Sequence, residues 1–152
     1  MIRQAMRVWA GCLTVIGLAS AAPLAQAGGT KTEVWSGAYH CAQGATGLTL
    51  TLLVQPDGGT VGLFEFYPVS ANPAVPTGCF DMAGMMDRNH HLVLAPGAWR
   101  RRPDNYVTVG LTGDETAGDH LVGTIQGPGC TTFALTRQTT PTQPSACASV
   151  TS

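Results

Sequence analysis

"GLTLTLLV", residues 47–54, decides the fold. Leu48, Leu50, Leu52 and Val54 fall on alternate positions, with Thr49 and Thr51 between them. Successive side chains of an extended chain point to opposite faces, so this period of two sets an oily face on a core and a hydroxylated face towards water. A helix needs apolar residues three and four apart instead, so the segment predicts a half-buried strand. "YVTVGL" at 106–111 has the same period, with Val107, Val109 and Leu111 on one side and Thr108 and Gly110 on the other. In "VGLFEFYPV" at 61–69 the charge of Glu65 belongs in water, which turns Phe64 and Phe66 inward and Leu63 and Tyr67 outward.

Extended outward from these segments, the same pattern predicts strands near 34–42, 46–54, 60–68, 79–86, 91–95, 105–112, 120–126 and 130–137. The links carry turn residues: "QPDGG" at 55–59, "DRNH" at 87–90, "TGDETAG" at 112–118 and "GPG" at 127–129. "SANPAVPTG" at 70–78, with two prolines, predicts a surface loop. No mature stretch has the length and apolar spacing of a helix. Short links join neighbouring antiparallel strands, so the expected fold is all-β: about eight strands in a meander that forms a small barrel or a sandwich.

The β domain spans 33–137 and is flanked by two different ends. Residues 1–27 begin with Arg3 and Arg7, run through an apolar stretch from Val8 to Leu18 and close on Ala25-Gln26-Ala27. That order is a signal peptide cleaved after Ala27, and its apolar run is short of the roughly 20 residues that span a membrane. The expected location is the periplasm or the medium, with no transmembrane segment in the mature chain. Residues 138–152 are polar and of low complexity, a tail without a core of its own. Cys147 is placed to pin it.

Without the leader the chain has four cysteines, and an even number in an exported chain reads as two disulfides with three possible pairings. No C-x-x-C pair points to zinc. Cys41 lies in the first strand and Cys130 at the start of the last, and closing a meander brings those strands together. The expected pairs are therefore Cys41–Cys130 and Cys79–Cys147.

Charge is scarce. The leader takes Arg3 and Arg7, which leaves six Lys and Arg against nine Asp and Glu. A general nucleic-acid binder needs a broad basic surface, so no nucleic-acid partner is expected. Half of the mature positive charge is the tripeptide Arg100-Arg101-Arg102, inside "GAWRRRPDNY" at 97–106. Guanidinium groups match carboxylate and phosphate, and Trp99 and Tyr106 flank the tripeptide with ring surfaces. These five residues are the candidate ligand-binding set. Against that stand two plainer expectations: the arginines neutralise surplus acids, and Trp99 plugs the end of a barrel.

No constellation calls for catalysis. His40, His90, His91 and His120 have no ligand-like spacing, and adjacent strand residues such as His90 and His91 face opposite ways. The acids Asp114, Glu115 and Asp119 lack the alternating oxygen ligands of a calcium loop and read as a solvated hairpin. Ser36 is outside a nucleophile elbow, and no glycine loop cradles phosphate. Glu65 and Asp81 are the one carboxylate pair worth naming for glycoside hydrolysis. No catalytic residue, metal or cofactor is expected.

The string Gly37-x-Tyr39-x-Cys41-x-Gln43-Gly44-x-Thr46-x-Leu48-x-Leu50, "VLAPGAWRRRPDNYVTVGLTG" at 93–113 and "GCTTFALTR" at 129–137 resembles a little-characterised small all-β domain of bacterial exported and envelope proteins. Similar domains also occur beside caspase-like peptidase domains. The resemblance covers nearly all of 35–137 and implies an accessory or binding module without catalysis. A fainter similarity is to the periplasmic inhibitors of c-type lysozyme, cysteine-stapled barrels that use a Ser-Gly-x-x-Tyr loop; Ser36-Gly37-Ala38-Tyr39 is one residue shorter. The expected function is a binding module of the envelope whose partner is an envelope protein or acidic glycan. The alternatives are a protein inhibitor of a lysozyme or peptidase, and a small hydrolase.

Overall fold

The computed structural model describes residues 28–139 and Cys147; the proposed leader lies outside the described residues, as do the other tail residues from 140 on. Eight strands follow one another: β1 (Lys31–Cys41), β2 (Gly44–Val54), β3 (Gly59–Tyr67), β4 (Gly78–Met86), β5 (His91–Arg101), β6 (Gly110–Thr116), β7 (His120–Gln126) and β8 (Thr132–Arg137). Each pairs antiparallel with the next, and β8 returns to β1, so the sheet is a closed barrel with no helix among the described residues. Of the two architectures expected, the barrel is the one formed.

The alternation read from the sequence sets the inside. Leu48, Leu50 and Leu52 point inward and are fully buried, and so do Phe64 and Phe66. Trp35, Phe80, Leu92, Leu111 and Leu121 complete the filling. Eight strands enclose a bore that side chains can fill, so the interior is a core and no channel. An apolar inside is the inverse of a transmembrane barrel, which has a polar lumen and an apolar outer band. Gly37, in the middle of β1, allows close approach to β8, because a Cβ there would run into the carbonyl oxygen of Ala134.

Both disulfides form as expected, Cys41–Cys130 and Cys79–Cys147. The expectation failed at the join of β5 and β6. β5 does not stop at Ala95: it runs on through Pro96 and Gly97 to Arg101. Beyond Leu94 it has only β4 beside it, with register shifts at Phe80 and Met82, and proline is tolerated where no ladder needs its N–H. The strand expected at 105–112 begins instead at Gly110, and the turn expected at 112–118 is confined to residues 117–119. Val107 is 55% exposed, whereas Val109 and Leu111 are buried, so the alternation there belongs partly to a loop.

The strand directions give the barrel two distinct ends. At one, called the base, lie the short turns 55–58, 87–90 and 117–119. At the other, the mouth, lie the longer connections 68–77 and 102–109, with 42–43 and 127–131.

Candidate functional site

Residues 99–107 build one side of the mouth. Trp99 is half-buried and meets Phe80 edge-on at 5.1 Å and Phe66 edge-on at 6.3 Å between ring centroids. Tyr106 stacks flat on Phe66 at 5.2 Å. Both rings therefore plug the barrel end and anchor the segment between them, which is the plainer of the two expectations for Trp99. The turn back is made by Pro103 to Tyr106, where the Tyr106 N–H donates to the Pro103 carbonyl at 3.4 Å. Asn105 takes the left-handed backbone there, with φ of 63°, a conformation asparagine adopts more readily than most residues.

The three arginines are exposed and have separate fates. Arg100 Nε donates to Asp81 Oδ1 at 2.6 Å on the outer wall. Arg102 Nε donates to the Tyr106 carbonyl at 3.3 Å. The side chain of Arg101, opposite Cys79 in the ladder, has neither a hydrogen bond nor an ion pair among the described residues. Neutralisation of surplus acid thus accounts for one arginine of three.

Within the mouth is a depression of about 400 Å³ that the sequence reading missed. Its floor is Phe64, Phe66 and Phe80, and its walls include Tyr39, Tyr106, Val107 and the Cys41–Cys130 bridge. Phe64 and Phe80 stack at 4.7 Å. Gln43 at the rim donates from Nε2 to the Tyr39 hydroxyl at 3.2 Å and to Thr46 Oγ1 at 3.3 Å. Burial, and then the nearby Tyr106, push the Tyr39 hydroxyl far above the ordinary tyrosine range, so it stays neutral. Asn72 braces the rim by donating to the carbonyls of Gln43 (2.6 Å) and Ala45 (3.1 Å). A strand-by-strand reading could not find this site, because its residues come from strand ends and connections whose meeting depends on closure.

The base is charged. Arg137 reaches Glu33 at 3.0 Å and Glu115 at 2.7 Å, with its guanidinium 4.1 Å from the centre of the Trp35 ring. Lys31 also binds Glu33, at 2.6 Å, the Trp35 N–H donates to it at 3.3 Å, and His90 meets Glu115 at 3.2 Å. Burial alone would raise the Glu33 carboxyl, but hydrogen bonds and charge from Lys31 and Arg137 prevail and hold it below the ordinary range. The solvated hairpin expected for Asp114, Glu115 and Asp119 needs correcting at one residue: Asp114 and Asp119 face water, while the Glu115 side chain is 8% exposed and paired inward.

On the outer wall, Leu53, Val61, Leu63 and Ala83 border a groove of about 540 Å³ beside the Arg100–Asp81 pair. The Ser36–Tyr39 stretch lies inside β1, paired on both sides, and is no loop. Glu65 and Asp81 both project outward from neighbouring strands, and of the two only Asp81 borders the outer groove. No family model, curated protein or solved structure matches the chain.

Proposed function

We propose that the protein is an exported, non-catalytic binding module of the bacterial envelope that captures an acidic partner, a protein or a glycan, through the 99–106 segment at the barrel mouth. The observation that supports this is how the cations are used. Lys31 and Arg137 are engaged with carboxylates at the base and Arg100 with Asp81; Arg88, alone in the 87–90 turn, and Arg101 have no side-chain partner among the described residues, Arg102 holds only a carbonyl, and Arg101 and Arg102 are the two that stand side by side. Trp99 and Tyr106 give that pair of guanidinium groups a rigid mount, and the Cys79–Cys147 bridge lies next to Arg101 in the ladder. A preordered mount lowers the entropy cost of gripping an anion. Two disulfides are what an oxidising compartment allows, in keeping with the export reading.

Replacing Arg101 and Arg102 together by serine tests the reading. Capture of acidic components from an envelope extract is expected to fall to the level the wild type shows at about 1 M salt, where charges are screened beyond about 3 Å. Undiminished capture by the variant returns these arginines to ordinary solvated surface. Turnover of peptidoglycan, glycosides or peptides by the purified protein, or inhibition of a lysozyme or peptidase, replaces this function with one of its rivals.

A further inference from the structure

We infer that the mouth depression is a second binding site, adjoining the arginine face at Tyr106, for one neutral, flat, ring-bearing small molecule with a hydrogen-bonding edge. Its volume of about 400 Å³ lies within the usual range of small-molecule sites, about 300–1,000 Å³, and barrel mouths commonly hold such sites. No Asp, Glu, Lys, Arg or His lines it. An ionised ligand would lose hydration there and find no counter-charge, which selects an uncharged one.

The floor sets the shape. Phe64, Phe66 and Phe80 are at most 1% exposed, so the depression has no opening into the barrel. A long acyl chain needs depth that is absent, whereas a flat ring can lie over this sealed floor against Tyr106, whose ring is only half-buried, and gain offset or edge-on contact with it. The rim sets the polar edge. The Gln43 side-chain N–H groups are turned to Tyr39 and Thr46, which leaves its Oε1 as an acceptor with no donor among the described residues. The Asn105 side chain likewise has no hydrogen bond among the described residues and can both donate and accept. A ring with an N–H or O–H on its edge matches both.

The test uses two probes on the intact disulfide-bonded protein. N-phenyl-1-naphthylamine is neutral and fluoresces in apolar surroundings; 8-anilinonaphthalene-1-sulfonate carries the same frame with one negative charge. The neutral probe is expected to saturate a single site and to bind at least about tenfold tighter than the sulfonate, a difference of about 1.4 kcal/mol. Val107→Asp sets a carboxylate on the exposed rim, away from the sealed core, and is expected to weaken the neutral probe at least about tenfold, with Val107→Ser between it and the wild type. Leu53→Asp, on the outer groove, leaves binding unchanged, as does the Arg101→Ser/Arg102→Ser pair, which isolates this site from the acid-capturing face. Equal or tighter binding of the sulfonate, or loss of the neutral probe in the Leu53 variant while the Val107 variants retain it, overturns the inference.

Discussion

At the base of the barrel, Glu33, Glu115 and Arg137 put charge where it is largely shielded from water, and each finds a partner within 3.0 Å. At the mouth, the depression between Tyr39, Phe66 and Tyr106 is bordered by no charged side chain, and both disulfides lie at that end. The turns at the base are all short; at the mouth, 68–77 and 102–109 are long, and the tight 42–43 turn brings Gln43 to the rim. One chain thus closes its two ends with different forces. The base has a depression too, of about 430 Å³, but ion-paired Lys31, Glu33 and Glu115 line it together with His90 and the exposed Arg88. The mouth depression has no charged lining and is walled in part by the Cys41–Cys130 bridge, so what separates the two ends is the chemistry of their linings.

If that division is right, the ends respond to different insults. The largest effect is expected from the mouth staple. The Cys41–Cys130 bridge links residues 89 apart, and on the chain-entropy model such a link stabilises by about 4 kcal/mol. Replacing both cysteines by serine should therefore lower the unfolding free energy by that much, a fall of about 2 M in the urea midpoint at a slope of about 2 kcal/mol/M, and abolish probe binding at the mouth. An unchanged midpoint would break the contrast at once.

Next comes the base. Arg137→Ala leaves Glu33 and Glu115 facing each other without their shared cation, and breaking such a pair costs about 3 kcal/mol, the low end of the range for buried pairs because the Arg137 side chain is 21% exposed. The same pairing gives a pH signature. Because the folded carboxyl of Glu33 is depressed from 4.5, its contribution is fully present above that pH and is lost as the pH falls through its folded value. Urea midpoints measured from pH 7 downward should fall in acid for the wild type and fall less for Arg137→Ala. Parallel curves would show that Glu33 does not depend on Arg137. The smallest effect is expected on the arginine face: Arg101→Ser with Arg102→Ser changes stability by less than about 0.5 kcal/mol, since neither guanidinium holds a carboxylate among the described residues.

The sequence made the wall legible and the ends much less so. Alternation in β2 and β3 placed Leu48, Phe64 and Phe66 correctly, because a period of two survives any closure that keeps one face dry. The cysteine pairing followed from the meander. Alternation failed at Val107, where a loop passing over the mouth imitates a strand, and Pro96 and Gly97 hid the continuation of β5 because a one-sided strand has no ladder for proline to break on its free edge. At the site, Trp99, the three arginines and Tyr106 were visible as a cluster in sequence. Tyr39, Gln43 and Asn105 were not, since only closure brings β1, its turn and the 102–109 connection together. Glu33 and Arg137 carried a faint signal: each shares the inward parity of its neighbours Trp35 and Leu135.

The two ends each hold one described tryptophan, Trp35 under Arg137 at the base and Trp99 against the floor rings of the mouth. Labelling with 5-fluorotryptophan and recording fluorine NMR therefore reads both ends in one sample. Addition of N-phenyl-1-naphthylamine should shift the Trp99 resonance and leave Trp35 in place, while acidification below about pH 4.5 should move Trp35 first and leave Trp99. Resonances that move together in both titrations would contradict the division into a charge-lined base and an uncharged mouth.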